Sequence, residues 1–171
     1  MVTKNTSKYF EQTRRPKPKA KSSRDFNYSL DYKKIDFRKT PDSYRVGKGE
    51  QGVLMVEPYK SEILPHWRFK IPKEARESSK EILALFREYK RENDFVGMDM
   101  ARKFLQMGYT RARRYANHRS GKKYGSDGKI LPIVIDETKA KSADIFYKVW
   151  RSVENDKTYS RLKSEWRERL G

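Results

Sequence analysis

Thr110-Arg111-Ala112-Arg113-Arg114 is the stretch of this chain best equipped to hold an anion. A guanidinium fork presents paired N–H donors that match a phosphate or carboxylate. Gly108 predicts the end of one helix, and Thr110 can cap a new one running from Arg111 to Arg119. Arg111 and Arg113 would then sit in a first helical turn, where a cation costs about 0.3–1 kcal/mol against the dipole. A bound phosphate reverses that sign, because free amides, dipole and guanidiniums all favour it. His118, Arg119, Lys122 and Lys123 extend the candidate site, and Tyr115 and Tyr124 could stack on bases between phosphate contacts. Arg45, His66 and Arg68 form a secondary candidate anion pocket. The competing structural reading is a solvated helix whose arginines pair with acids such as Glu57 or Glu62.

Other chemistries find little support. Gly47-Lys48-Gly49-Glu50-Gln51-Gly52 is a literal G-x-G-x-x-G, but the apolar run follows it rather than precedes it. A dinucleotide fold needs the opposite order, and a kinase loop needs H-R-D and D-F-G partners that are missing. The bland reading is a tight turn with a close backbone approach. His66 and His118 are the two histidines, and with no cysteine they lack zinc-ligand spacing. Asp42, Glu57 and Lys60 do not make the Glu-x-Lys pattern of a metal-dependent nuclease. Residues 100–119 also fail as a helix-turn-helix, with Phe104 where a small residue is needed and Arg114 where an apolar one is. We therefore assign no catalytic residue, no metal and no cofactor.

The charge is localised. Residues 102–123 hold eight Lys/Arg and no acid, and residues 1–24 hold eight Lys/Arg against Glu11. Those segments carry +15 of the net +18, whereas residues 71–94 balance six bases with six acids. Such a field points to a polyanion, most often nucleic acid. Eight neutralised phosphates predict a log–log salt slope of about −7 on duplex DNA. No apolar run approaches the roughly 18 residues a membrane span needs, and no signal peptide is visible. Both point to a cytoplasmic protein that does not engage membranes.

These residues must be held by elements. Residues 1–24 read as a disordered basic arm and residues 25–171 as one globular domain. Phe26, Tyr28, Leu30 and Tyr32 alternate as a strand does, and Val53-Leu54-Met55-Val56 reads as a second short strand. Ala75, Ser79, Ile82, Leu83, Phe86 and Tyr89 predict a helix after Pro72, and Val96, Met100, Phe104 and Met107 a second from Phe95 to Met107. Arg102 and Lys103 decorate that second helix. Asp127-Gly128 marks a turn before the apolar run Ile130–Ile135. Ala143, Phe146, Val149, Trp150 and Val153, then Tyr159, Leu162, Trp166 and Leu170, predict two C-terminal packing helices. The expected class is mainly α with a small N-terminal β-ribbon (α+β).

Three strings resemble a known family: Tyr44 to Leu54 with Glu57 to Phe69, Phe95 to Gly108, and Thr110 to His118. They are similar to a domain of unknown function, number 4385, over roughly residues 25–170. The resemblance implies occurrence in bacteria, fungi and some tailed phages, hence a host-cytoplasmic setting if phage-encoded. It brings no activity and no catalytic residue, and the basic arm lies outside it.

The expected function is non-enzymatic nucleic-acid binding, with DNA versus RNA and oligomeric state left open. The alternative is an enzyme or sensor for a small phosphorylated metabolite, its pocket joining Arg111–Arg114 to Arg45, His66 and Arg68. A third is a structural or partner-binding protein using the C-terminal amphipathic helices.

Overall fold

The computed structural model describes residues 26–171 except residue 119. The basic arm of residues 1–24 and the candidate residue Arg119 lie outside the described residues. The elements are helical: α1 (Tyr59–Ile63), α2 (Pro72–Arg91), α3 (Phe95–Asn117), α4 (Glu137–Glu154) and α5 (Lys157–Leu170), with 3-10 turns at Pro41–Ser43 and Leu64–His66.

The expected β-ribbon is absent, which corrects the α+β class. Among the described residues there is no sheet, only an isolated bridge between Tyr124 and Ile130. Local side-chain competition explains the loss over residues 26–37. Asn27 Oδ1 accepts from the Ser29 amide at 3.0 Å, and Asp36 Oδ1 accepts from the Arg38 and Lys39 amides at 3.0 and 3.2 Å. Such Asx turns offer the backbone an alternative to a ladder. The alternating rings turn inward and stack instead: Phe26 on Tyr32 with centroids 5.4 Å apart, Tyr32 on Phe37 at 5.7 Å. Val53 to Val56 likewise forms turns, with the Val53 amide donating to Glu50 and the Met55 amide to Gly52.

The helices form where periodicity places them. Pro72 opens α2, and Ala75, Ser79, Ile82, Phe86 and Tyr89 face inward as expected, while Leu83 is partly buried against the core. Each large apolar side chain so buried contributes about 1.5–3 kcal/mol. Asn93 at φ 56° and Asp94 turn the chain back, and Asp94 Oδ1 caps α3 by accepting from the Gly97 amide at 3.0 Å.

The expected break at Gly108 does not occur. α3 runs unbroken for 23 residues through Gly108 and Thr110. Gly108 serves packing: a Cβ there would lie 2.4 Å from the Phe146 ring of α4. Its lack of a side chain lets α4 settle onto α3, so the residue that reads as a stop signal is a contact surface. Every residue from Phe95 to Leu105 is buried, so α3 is the central helix, with α2, α4 and α5 packed around it. No described helix is long and apolar enough to cross a membrane.

Candidate nucleic-acid interface

The two halves of the basic stretch have opposite fates. Arg102 and Lys103, expected on the outside of their helix, lie in the core at 2% and 0% exposure. A helix enclosed on all sides has no solvated face, so its polar residues must find partners inside. Asp99, one turn earlier, supplies the counter-charge: its Oδ1 accepts from Arg102 Nη2 at 2.7 Å, and its Oδ2 lies 3.8 Å from Lys103 Nζ. Two buried phenols complete the carboxylate's shell, the Tyr159 hydroxyl donating at 2.7 Å and the Tyr44 hydroxyl donating to Oδ2.

These cations also clamp the glycine loop. Arg102 Nη1 donates to the Gly49 carbonyl at 2.5 Å, Lys103 Nζ to the Gln51 carbonyl at 2.6 Å, and Arg167 Nη2 to the Gly47 carbonyl at 3.0 Å. Gly47, Gly49 and Gly52 all have positive φ, and a Cβ on Gly52 would lie 2.1 Å from the Phe26 ring. The bland reading of G-x-G-x-x-G therefore holds: the loop turns tightly and lies close against the core. What the motif did not disclose is that its carbonyls face inward to receive cations.

Electrostatics follow burial. Desolvation pushes the Asp99 carboxyl up, but Arg102, Lys103 and the two hydroxyls outweigh it and hold it below the usual carboxylate range. Desolvation pushes the Lys103 ammonium down to about 7, with Asp99 opposing and Arg102 reinforcing. Its Nζ also lies 4.9 Å from the Tyr44 ring centroid and 5.2 Å from that of Phe26, which offers partial cation–π compensation.

The second half of the stretch reaches the surface. Thr110 caps nothing, because it lies within continuous α3 and the amides after it are helical. The dipole argument for an anion there loses its premise, and the guanidiniums remain. The Thr110 hydroxyl lies 3.0 Å from the nearer oxygen of Glu50, the acid of the glycine loop. Burial pushes the Glu50 carboxyl up, while Thr110, Arg111 and Arg114 act against it. Arg111 is half-buried there, and desolvation lowers its pKa. Arg113 pairs with Asp144 at 3.1 Å. The competing structural reading is thus partly right, though the acids are Glu50 and Asp144 rather than Glu57 and Glu62.

Arg114, Lys122 and Lys123 form no salt bridge with a described acid. Tyr115 packs against Phe69 at 6.0 Å and over Gly121, so it serves the fold more than stacking. Tyr124 is 43% exposed, with Lys123 Nζ 5.7 Å from its ring. His118 is buried, and its Nδ1 finds no hydrogen-bond partner.

The secondary pocket does not assemble as expected. His66 Nδ1 lies 3.0 Å from Glu81, and Arg68 reaches Glu81 and Glu77 at 3.5 and 3.6 Å on α2. Arg45 instead donates to the Asp42 carbonyl at 2.6 Å, beside the Asp42–Arg169 ion pair at the end of α5. A small cavity of about 170 Å³ is lined by Tyr115, Val134, Ile135, Asp136 and Lys139. A cleft of about 560 Å³ is lined by Arg38, Glu62, Leu85, Glu88, Tyr89 and Glu92. Among the described residues no group of acids and histidines is arranged to hold a metal.

No curated protein and no solved structure matches the chain. Residues 27–169 match a family described as a domain of unknown function (DUF4385), close to the span read from the three similar strings, and the chain belongs to that family.

Proposed function

We propose that this protein binds nucleic acid without catalysing a reaction, through the C-terminal end of α3 and the loop that follows. One observation carries this reading: residues 111–123 hold six Lys/Arg and no acid. Elsewhere bases are interspersed with acids, six of each over residues 71–94, with close pairs such as Arg38–Glu62 and Lys90–Asp156 at 2.6 Å. At the end of α3, Arg114, Lys122 and Lys123 have no such partner, and Arg111 and Arg113 lie beside them. Unneutralised cations clustered on one surface match a phosphate backbone, whose condensed counterions they displace.

The metabolite reading gains less support. A cavity of about 170 Å³ is small beside the roughly 300 Å³ at which ligand pockets begin. The larger cleft presents three glutamates, which repel a phosphorylated ligand.

With Arg102 and Lys103 in the core, the stretch offers at most six cations to phosphate. Titrating the full chain onto a fluorescein-labelled 20-base-pair duplex across KCl concentrations should give a log–log slope of about −5 or steeper. Arg114→Ala/Lys122→Ala/Lys123→Ala should flatten it by about 3. A slope near zero, or no binding at low salt, overturns the reading.

A further inference from the structure

The loop after α3 carries an exposed apolar run beside its lysines. Ile130, Ile133, Val134 and Ile135 are 60–63% exposed. Four large aliphatic side chains in six residues are seldom left to water without a partner. The backbone of this run is organised. The Val134 amide donates to the Asn117 carbonyl at 3.1 Å, and the Asp136 amide to that of Ala116 at 2.8 Å. Donation from alternate residues is the pattern of an extended chain laid along an acceptor, and it turns the amides preceding each donor the other way. Those are the amides of Ile133 and Ile135, and neither makes a hydrogen bond among the described residues.

The local charge is also one-sided. Asp127 accepts from the Lys129 amide within its turn, and Asp136 accepts from the Lys139 amide as the cap of α4. Lys122, Lys123 and Lys129 are exposed and form no salt bridge with a described acid.

We propose that residues 130–135 are a docking edge for an extended acidic segment of another protein, one that alternates carboxylate and aliphatic side chains. Such a strand would accept from the outward amides of Ile133 and Ile135 and cover the isoleucines with its aliphatic residues. Its carboxylates would lie against Lys122, Lys123 and Lys129. Adding a strand to an exposed edge obtains affinity from the main chain and selectivity from the side chains. A lipid surface fits less well, because hydrocarbon leaves the two amides unsatisfied. A second copy of this chain fits less well too, since symmetric pairing sets the three lysines against their own images in a chain of net charge +18. Lys122 and Lys123 are shared with the proposed nucleic-acid surface, so a duplex would compete for them, whereas the amides and isoleucines of residues 130–135 do not depend on that reading.

The test uses the full chain and a capped ten-residue peptide of alternating glutamate and valine, labelled for anisotropy. The expected result is saturable binding that slows hydrogen exchange at Ile133 and Ile135. I133N/I135N should weaken it about tenfold or more while leaving thermal unfolding unchanged, because both side chains are exposed and no charge is added. A ten-residue polyglutamate that binds as tightly as the alternating peptide overturns the proposal, since charge alone then suffices. So does an absence of protection at the two amides. Sedimentation with phosphatidylserine vesicles that I133N/I135N abolishes, without peptide binding, assigns the run to a lipid surface instead. A dimer in sedimentation equilibrium lost in the same variant assigns it to self-association.

Discussion

At the scale of residues, the determining fact is that Asp99, Arg102 and Lys103 occupy one desolvated site. Three ionisable groups in a core are costly unless each is paired and hydrogen-bonded, and here two phenols and two loop carbonyls share the work. Lys103 is the one of the three whose charged form the site disfavours, pushed down to about 7. An unfolded lysine titrates near 10.4, so between pH 7 and 10 the unfolded chain binds a proton that the folded chain has lost. Stability from this residue therefore rises with pH across that window and is flat below it, with a limiting slope of about 1.4 kcal/mol per pH unit. Urea unfolding of Lys103→Met at pH 7.5, 8.25 and 9 should show a pH dependence shallower than wild type by about 1 kcal/mol per unit. Equal slopes would mean that Lys103 stays charged in the fold. None of this burial was legible in the sequence. Arg102 and Lys103 stand inside a run of like charge and read as surface until the surrounding helices are placed.

At the scale of elements, the amphipathic periodicity located α2, α4 and α5 well, and α3 was located but cut in two. Gly108 followed by a threonine is a sound local stop-and-cap signal, yet the helix continues because α4 presses Phe146 against that spot. Glycine inside a helix ordinarily costs about 0.5–1 kcal/mol relative to alanine. Close approach of Phe146 reverses the usual advantage of alanine here. Gly108→Ala should destabilise by about 1–3 kcal/mol in denaturant titration, the cost of overpacking a filled core. Adding Phe146→Leu should recover part of that loss, and an alanine variant more stable than wild type would refute the packing role. The N-terminal strands failed for the complementary reason. Their alternation is real, but Asn27 and Asp36 divert the backbone into turns, and among the described residues no partner strand exists for them to join.

For the whole molecule, the net charge of +18 hides a division of labour. Part of it is structural, sealed in the core. Part is neutralised on α2 and α5, and part is left uncompensated at the end of α3. The arm of residues 1–24, with +7 of its own, lies outside the family match and outside the described residues. If it adds unspecific phosphate contacts, deleting it should weaken duplex binding at low salt and bring the salt slope back to about −5, the value expected from the α3 end alone. An unchanged slope would show that the arm touches no phosphate.

Periodicity alone located helices within residues 72–117 and 137–170, summed charge located the concentration of positive charge, and likeness of three residue strings pointed to the family. These are local or summed properties, and local physics suffices for them. Whether a given base in the Arg102–Lys123 stretch is core or surface was decided by tertiary structure only. Solvent exposure depends on which elements pack around α3, and the stretch itself holds no record of that. The Thr110–Arg114 segment shows the difference most clearly: its charge was readable, but its amides belong to a continuous helix, so any anion held there is held by side chains.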